Sequence, residues 1–88
     1  MNKMYRVIAE LRGVKVWEVL LVFRDYNENV SDHEIRGDDW SIRIVKEDTD
    51  VIHGIEIPIT YIEAEGNEEK VNRILREIKL RLFKASGI

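Results

Sequence analysis

The sequence contains no cysteine, one proline and five glycines among its 88 residues. Without cysteine it cannot form a disulfide, a thiolate zinc site or a thiol nucleophile. The glycines are scattered, so there is no Gly-rich phosphate loop, and no Gly-x-Ser-x-Gly motif marks a nucleophilic serine. We therefore expect a chain without catalytic residues, without a cofactor and without a bound metal.

Long apolar runs are also missing. None approaches the ~20 residues that a membrane-spanning helix needs. The first six residues, Met-Asn-Lys-Met-Tyr-Arg, lack the apolar core of a signal peptide. We therefore expect a cytoplasmic protein, which agrees with the absence of cysteine. The high content of Glu, Lys, Arg and Ile favours a thermophilic source, since surface ion pairs cost less desolvation at high temperature.

Hydrophobic residues make up 44% of the chain and charged residues 35%, which is typical of a folded protein. The length leaves room for one core, so we predict a single α+β domain over residues 1–88. Residues 4–11 are rich in β formers and end at Gly13, which predicts a strand.

Residues 14–26 are ambiguous. Their valines favour a strand, whereas a polar stripe at helical spacing favours a helix. The stripe runs through Lys15, Glu18, Val22 and Asp25. We predict a helix whose inward side chains are Val16, Leu20, Phe23 and Tyr26. The alternative is a hairpin that turns at residues 12–13.

Short β segments separated by turn residues follow from residue 30. We predict strands at residues 33–36, 40–46, 51–57 and 59–65. Trp40, Ile42 and Ile44 alternate with Ser41, Arg43 and Val45, a pattern typical of a half-buried antiparallel strand. Residues 47–50, Glu-Asp-Thr-Asp, are interpreted as an acidic turn. Pro58 is interpreted as a bend, a bulge or an edge position, because proline cannot donate to a strand ladder.

The clearest element begins after Gly66-Asn67, with Glu68 and Glu69 in the first helical turn. Apolar residues at helical spacing predict a stripe that packs on the sheet, formed by Val71, Ile74, Leu75, Ile78 and Leu82. Leu80 and Phe83 lie off this stripe and mark either a helix that wraps over the sheet edge or a patch that meets another chain. The predicted order is β-α-β-β-β-β-α, an antiparallel sheet with both helices packed on one face.

Four short motifs accompany this order: Leu11-Arg12-Gly13, Gly37-Asp38-Asp39-Trp40, Gly54-Ile55-Glu56-Ile57-Pro58 and Glu65-Gly66. With them, nearly the whole chain resembles the C-terminal domain of MoaD-related proteins of molybdenum cofactor biosynthesis. In those proteins a ubiquitin-like domain, similar to the small subunit of molybdopterin synthase, precedes this domain. The resemblance implies a TATA-binding-protein-like fold and no assigned activity. Because the chain lacks the ubiquitin-like part and ends Ser-Gly-Ile rather than Gly-Gly, it does not imply a sulfur-carrier role.

The two histidines, His33 and His53, could serve a metal site or acid-base chemistry. Their spacing matches no metal-binding motif, so both are interpreted as ordinary strand residues. The acids of residues 47–50 lack EF-hand spacing and are interpreted as a solvated turn. Asp38 and Asp39 are likewise interpreted as turn residues next to a buried Trp40 indole.

Positive charge is concentrated in the C-terminal helix. Residues 68–88 hold 6 Lys/Arg against 3 Glu, a net charge of +3, whereas residues 1–67 hold 8 against 14 Asp/Glu, a net charge of −6. The candidate binding residues are Arg73, Arg76, Lys79 and Lys84, which could contact a phosphate backbone. Two expected i, i+4 pairs, Glu69 with Arg73 and Glu77 with Arg81, argue against nucleic acid, as does the acidic body. We favour the hypothesis that the basic helix is attracted to the acidic residues 1–67 of its own chain, or that it docks on an acidic protein.

The leading hypothesis is a non-enzymatic binding or interaction module that works as a homo-oligomer or with a protein partner. It rests on the missing catalytic constellation and on a surplus of apolar positions, notably Trp17, Leu80 and Phe83. The resemblance alone implies an alternative, an accessory subunit or ligand-binding protein linked to molybdopterin metabolism. Nucleic-acid binding through the basic helix is a third hypothesis. The sequence identifies neither the ligand nor the partner.

Overall fold

The computed structural model describes residues 4–26 and 33–85, in which four strands and two helices follow one another in the order β-α-β-β-β-α. The elements are β1 (Tyr5–Arg12), α1 (Val16–Tyr26), β2 (Glu34–Gly37), β3 (Trp40–Ile52), β4 (Ile55–Gly66) and α2 (Glu68–Ala85). The strands form one antiparallel sheet in the order β1-β4-β3-β2. The predicted α+β class is confirmed, with one strand fewer than predicted.

Helix α2 forms as predicted. It begins at an asparagine cap, since the side-chain oxygen of Asn67 accepts a hydrogen bond from the Lys70 amide at 3.1 Å. Glu68 and Glu69 follow in the first turn, where their charge is stabilised by the helix dipole. The whole predicted apolar stripe is buried: Val71, Ile74, Leu75, Ile78 and Leu82.

Both helices lie on one face of the sheet, as predicted. Successive side chains of a strand point to opposite faces, so every second residue of β1 and β4 points toward the helices. The inward strand residues that join the core are Ala9, Leu11, Ile35, Ile42, Ile62 and Ala64. Thr60 is buried on this face, and its hydroxyl donates a hydrogen bond of 2.7 Å to the carbonyl of Val14. That bond satisfies the one buried polar side chain of the described residues.

Helix α1 is also confirmed, and the hairpin alternative for residues 14–26 is wrong. The backbone amide of Lys15 is capped by the Glu18 carboxylate at 3.0 Å, an arrangement that fixes a helix start. The predicted inner face is partly wrong, because the buried residues are Val19 and Val22 in addition to the predicted Phe23. Leu20 and Tyr26 are half-buried against the core. The inner face is broader than predicted and displaced toward Val22, because α1 packs against both α2 and β2.

The largest error concerns residues 46–57. The predicted acidic turn at residues 47–50 is part of β3, and the predicted strand at residues 51–57 is divided between β3 and β4. The turn lies instead at His53 and Gly54, whose φ angles are 53° and 78°. Two consecutive positive φ angles are typical of a type I′ hairpin turn, which matches the twist of the strands beside it. The last part of the predicted strand at residues 51–57 and the whole predicted strand at residues 59–65 therefore belong to one continuous β4.

Pro58 occupies an edge position, one of the three predicted alternatives. It lies in β4 opposite Thr49 of β3, just beyond Ile59, where the pairing with β1 ends. Its carbonyl accepts a hydrogen bond of 2.7 Å from the Gly13 amide, so this residue presents its backbone polar groups to the β1 side. The missing N–H therefore costs no hydrogen bond to β3.

The C-terminal parts of the two helices are joined by a polar contact. The Tyr26 hydroxyl donates to the Glu77 carboxylate at 3.0 Å, and the Arg81 guanidinium lies 4.8 Å from the centre of the Tyr26 ring. Arg81 also forms an ion pair of 3.0 Å with Asp25. Burial, followed by the bond to Glu77, raises the pKa of Tyr26 from 10.0 to about 12.

Replacing Ile78 by alanine should lower the free energy of unfolding by about 2–5 kcal/mol, because the side chain is fully buried in the core. Leu80→Ala is the matched control on the same helix, since Leu80 is 63% exposed and should change stability by less than about 0.5 kcal/mol. Chemical denaturation monitored by circular dichroism measures both values. Equal losses in the two variants would contradict the packing of α2 described above.

The raised pKa of Tyr26 predicts a loss of stability in alkali. The unfolded chain releases this proton near pH 10.0 and the folded chain near pH 12, so stability falls as pH rises between these values. Tyr26→Phe should remove this part of the pH dependence. Denaturation midpoints of both proteins from pH 8 to 12 provide the measurement, and parallel curves would refute the assignment.

Candidate functional site

Strands β3 and β4 continue past the rest of the sheet as a two-stranded ribbon, residues 46–58, which we call the arm. β1 pairs with residues 59–66 of β4 and β2 pairs with residues 40–43 of β3, so neither outer strand reaches the arm. The 18 residues of α2 span about 27 Å, whereas the 12 residues of β4 span about 40 Å. Because α2 starts at the far end of β4, it ends before the tip of the arm. The molecule is accordingly elongated, 49 × 25 × 25 Å.

The tip of the arm carries three large apolar side chains in solvent. Val51 is 59% exposed, Ile52 is 42% exposed and Ile55 is 66% exposed. Ile52 and Ile55 are paired directly across the turn on one face of the ribbon, and Val51, paired with Glu56, points to the other face, so both faces of the tip carry exposed apolar side chains. Neighbouring apolar side chains that the core leaves in water mark an interaction site.

A β-bulge lies where the arm leaves the sheet. Ile44 pairs with Ile62 and Lys46 pairs with Tyr61, so Val45 has no partner in the register. The extra residue reverses the alternation of β3, and Lys46 joins Tyr61 on the open side of the sheet, 5.5 Å from its ring centre. Bulges of this kind bend a strand and increase its twist. The bulge therefore sets the direction in which the arm projects.

The arm is acidic. It carries one basic residue, Lys46, and four acidic ones: Glu47, Asp48, Asp50 and Glu56. Arg12 of β1 donates to the Asp50 carboxylate at 2.5 Å, which lowers the pKa of Asp50 and raises the pKa of Arg12. Asp48 lies 3.8 Å from the Lys46 ammonium. In the described part of the chain, Glu47 and Glu56 form no ion pair.

The outer face of α2, opposite its buried stripe, is basic. Arg73, Arg76 and Lys79 are exposed there, and none of them forms an ion pair within residues 4–26 and 33–83. The fourth candidate, Lys84, has its side chain outside the described part of the chain. The structure thus brings three of the four candidate binding residues onto one exposed helix face.

The expected ion pairs within α2 are wrong. Arg81 forms an ion pair with Asp25 of α1 instead of with Glu77. The Glu77 carboxylate accepts a hydrogen bond from the Tyr26 hydroxyl. Glu69 and Arg73, both described, are not paired either. Tertiary contacts between the helices outcompete the local i, i+4 geometry, which contributes only about 0.2–0.5 kcal/mol per pair.

Three apolar side chains of the helices are exposed, as their positions off the inner stripes indicated. Leu80 is 63% exposed, Phe83 49% and Trp17 59%. Leu80 and Phe83 are three residues apart and share the outer face of α2 with the basic residues. In the ranges that the structure describes, neither helix has the length and apolar character required to cross a membrane.

The open face of the sheet carries ion pairs rather than an apolar groove. Arg43 contacts Glu63 at 2.9 Å, and Arg6 lies between Glu63 and Glu65 at 3.9 and 3.3 Å. Ile8 is exposed beside them. Exposed pairs of this kind contribute little to stability, but they occupy the charged groups of this face.

A cleft of about 770 Å³ lies at the end of the sheet remote from the arm. Its walls include Met4, Trp40 and the carboxylates of Glu34, Asp39, Glu65 and Glu68, with Arg36 as its basic residue. The excess of negative charge disfavours a phosphorylated ligand there.

The interpretation of the histidines as strand residues is wrong. His33 and His53 lie in turns, with φ angles of 68° and 53°. His33 precedes β2, where its carbonyl accepts the Ile44 amide at 2.9 Å, whereas His53 is at the tip of the arm. Among the described residues, no three or more His, Asp or Glu side chains form a group that could hold a metal ion.

The turn before β3 matches the interpretation of its acids. Asp38 and Asp39 form the turn, and the Asp39 carboxylate lies 3.4 Å from the Lys70 ammonium of α2. The Trp40 indole is half-buried rather than buried, and it lies over Gly37, where any Cβ would collide with the ring.

Sequence reasoning missed the arm, on which Val51, Ile52 and Ile55 are exposed. The available signal was the pair His53-Gly54 between two apolar segments, since X-Gly pairs favour two-residue hairpin turns. The acidic residues 47–50 obscured it, because Asp and Glu are depleted in strands.

A family model described as archaeal MoaD-like protein matches residues 7–87. The comparison with curated proteins found no match, and the comparison with solved structures found none. Residues 86–88, on which the argument against a sulfur carrier rests, lie outside the described residues. The match extends over nearly the whole chain and agrees with the resemblance inferred from its motifs: the protein belongs to the archaeal MoaD-like family.

Proposed function

We propose that the chain is a non-enzymatic, cytoplasmic protein-interaction module that binds its partner with the arm. The observation that supports this most directly is the exposed apolar tip formed by Val51, Ile52 and Ile55. Covering an apolar side chain of this size contributes about 1.5–3 kcal/mol, so the tip can supply much of the energy of a moderate interaction.

The construction of the arm supports the same proposal. A two-stranded ribbon without a covered face is only marginally stable in water. Here it continues the two central strands of the sheet, and the exposed Arg12–Asp50 ion pair adds one contact with β1. A partner on the arm would supply the missing cover.

The family is the basis of the second candidate function. The MoaD-related proteins that the chain resembles carry a domain similar to the small subunit of molybdopterin synthase next to a domain like this chain. An accessory or ligand-binding role linked to molybdopterin metabolism is therefore the second candidate. The acidic cleft argues against direct binding of a phosphorylated ligand there.

Nucleic-acid binding is favoured by one observation: Arg73, Arg76 and Lys79 on α2 are exposed and form no ion pair with any residue that the structure describes. The net charge of −6 on residues 1–67 opposes it. A phosphate-binding surface predicts affinity for heparin that falls steeply with salt.

The test of the arm is a variant that removes its apolar tip, Val51→Ser with Ile55→Ser. We expect the unaltered chain to form a complex, with itself or with another protein, in native extract from its source, and the variant to lose at least about 90% of it, since both anchors are truncated. Size-exclusion chromatography with light scattering, followed by mass spectrometry of the complex, measures this.

The matched control is Ile8→Ser with Leu21→Ser. These side chains are 58% and 51% exposed and lie on the open sheet face and on α1, so the control removes comparable apolar surface away from the arm. The proposal is wrong if the unaltered chain stays a monomer and binds no protein from the extract. It is also wrong if the control variant and the tip variant lose equal fractions of the complex.

A further inference from the structure

The faces of the arm follow from the strand register. Glu47 is paired with Thr60, whose side chain points toward the helices, and Val51 is paired with Glu56. Residues 47, 49 and 51 alternate on one side of β3, so Glu47, Val51 and Glu56 all lie on the helix side of the sheet. The helices of the same chain end before this part of the sheet, and all three side chains are exposed. One face of the arm is therefore a small, acidic, partly apolar surface without a helix on it.

Helix α2 carries a second stripe that its own sheet does not use. Arg73, Arg76, Leu80 and Phe83 follow one another at intervals of three, four and three residues, which places them on one line along the helix. This line runs along the outer face, opposite the buried stripe, and all four side chains are exposed. Lys79 is adjacent to it. The second stripe is basic in its first half and apolar in its second half.

The two surfaces are complementary in charge and in apolar character. Glu47 and Glu56 have no ion-pair partner in the described part of the chain, and neither have Arg73 and Arg76. If the arm lay on the second stripe, Glu47 and Glu56 could form ion pairs with Arg73 and Arg76. Contact between Val51 and Leu80 would also remove apolar surface from water. A sheet surface that lacks a helix and a helix surface that lacks a sheet are the two halves of an ordinary helix-on-sheet contact.

We infer that the arm of one copy docks on the outer stripe of α2 of a second copy, and that the contact is reciprocal. Each copy has one arm and one α2, so a two-fold axis lets each arm cover the other copy's helix and closes the assembly as a dimer. This inference rests on the proposed function, because it names the partner of the arm as a second copy of the chain.

Pairing of two arms with each other is the competing arrangement between copies. It would bring the acids of one arm, including Glu47 and Asp48, against the same acids of the other. Like charges that face each other across strands are destabilising. The charge distribution therefore favours α2 over a second arm as the surface that receives the arm.

The experiment reverses the charge of one surface at a time. The helix variant is Arg73→Glu with Arg76→Glu, and the arm variant is Glu47→Lys with Glu56→Lys. We expect the unaltered chain to be a dimer that weakens as salt rises, and each variant alone to have its dimer dissociation constant raised at least about 10-fold by like-charge contact. Analytical ultracentrifugation at low and high salt measures these constants.

Mixing the two variants provides the decisive measurement. The helix variant has an acidic arm and an acidic helix, whereas the arm variant has a basic arm and a basic helix. In a mixed dimer, each arm therefore contacts a helix of the opposite charge. Both contacts regain opposite charges, so the mixture should dimerise within about 3-fold of the unaltered chain. A chain with all four substitutions should do the same.

The control variant is Arg6→Glu on β1 with Arg24→Glu on α1. It makes the same change in net charge as the helix variant. Both residues are exposed, and Arg6 lies on the open face of the sheet at the end remote from the arm, so the dimer should be unchanged. Circular dichroism melting of every variant verifies that each is folded.

Three outcomes would overturn the inference. If the dimer persists in the helix variant or in the arm variant, or if mixing the two variants does not restore it, the dimer uses another surface. The unaltered chain could instead be a monomer that forms a complex in extract, with the Val51→Ser and Ile55→Ser variant losing that complex. The arm then binds a different protein, and the proposed function stands without the inference. Salt-sensitive retention on heparin that is lost in the helix variant, with no dimer present, would assign the basic stripe to nucleic acid.

Discussion

The burial of α2 on the sheet determines the positions of the other features of this molecule. The chain passes from β4 into the helix through Gly66, whose φ is 137° and where a Cβ would collide with the backbone of Asp39. The Asn67 amide then donates to the Asp39 carbonyl at 2.7 Å, which fixes the helix start against the β2–β3 turn. With its start fixed and one stripe buried, α2 has no freedom to rotate. Its basic and apolar outer residues are therefore held in solvent by the core.

The sequence predicted those parts of the fold in which one face is buried. Ile78 and its neighbours recur at helical spacing because a helix on a sheet must bury one stripe, and Trp40 to Ile44 alternate because β3 covers the core there. The prediction failed where that constraint ends. The bulge at Val45 breaks the alternation, and beyond it neither face of the ribbon is covered, so no period is imposed on residues 46–57. The acidic residues of that segment instead favour a turn on composition alone.

The candidate site divides in the same way. Arg73, Arg76 and Lys79 could be placed on an outer helix face from their spacing relative to the buried stripe, because a helix repeats regularly. Their lack of partners could not be predicted, since Arg81 and Lys70 on the same helix are paired with residues distant in sequence. The arm could not be found from periodicity at all. Its existence depends on where the turn lies, and the positive φ angles of His53 and Gly54 are a local property that the acidic residues 47–50 obscured.

The arm also leaves two rows of backbone groups without neighbours. Beyond Ile44 on β3 and beyond Pro58 on β4, no further strand is present among the described residues to accept or donate hydrogen bonds. Such rows are templates for the addition of foreign strands and for fibrous aggregation. Carboxylates on both strands and a proline oppose that growth. The negative charges that suit the arm to a basic partner thus also oppose the pairing of one arm with another, and protonation of these carboxylates at low pH would weaken both effects together.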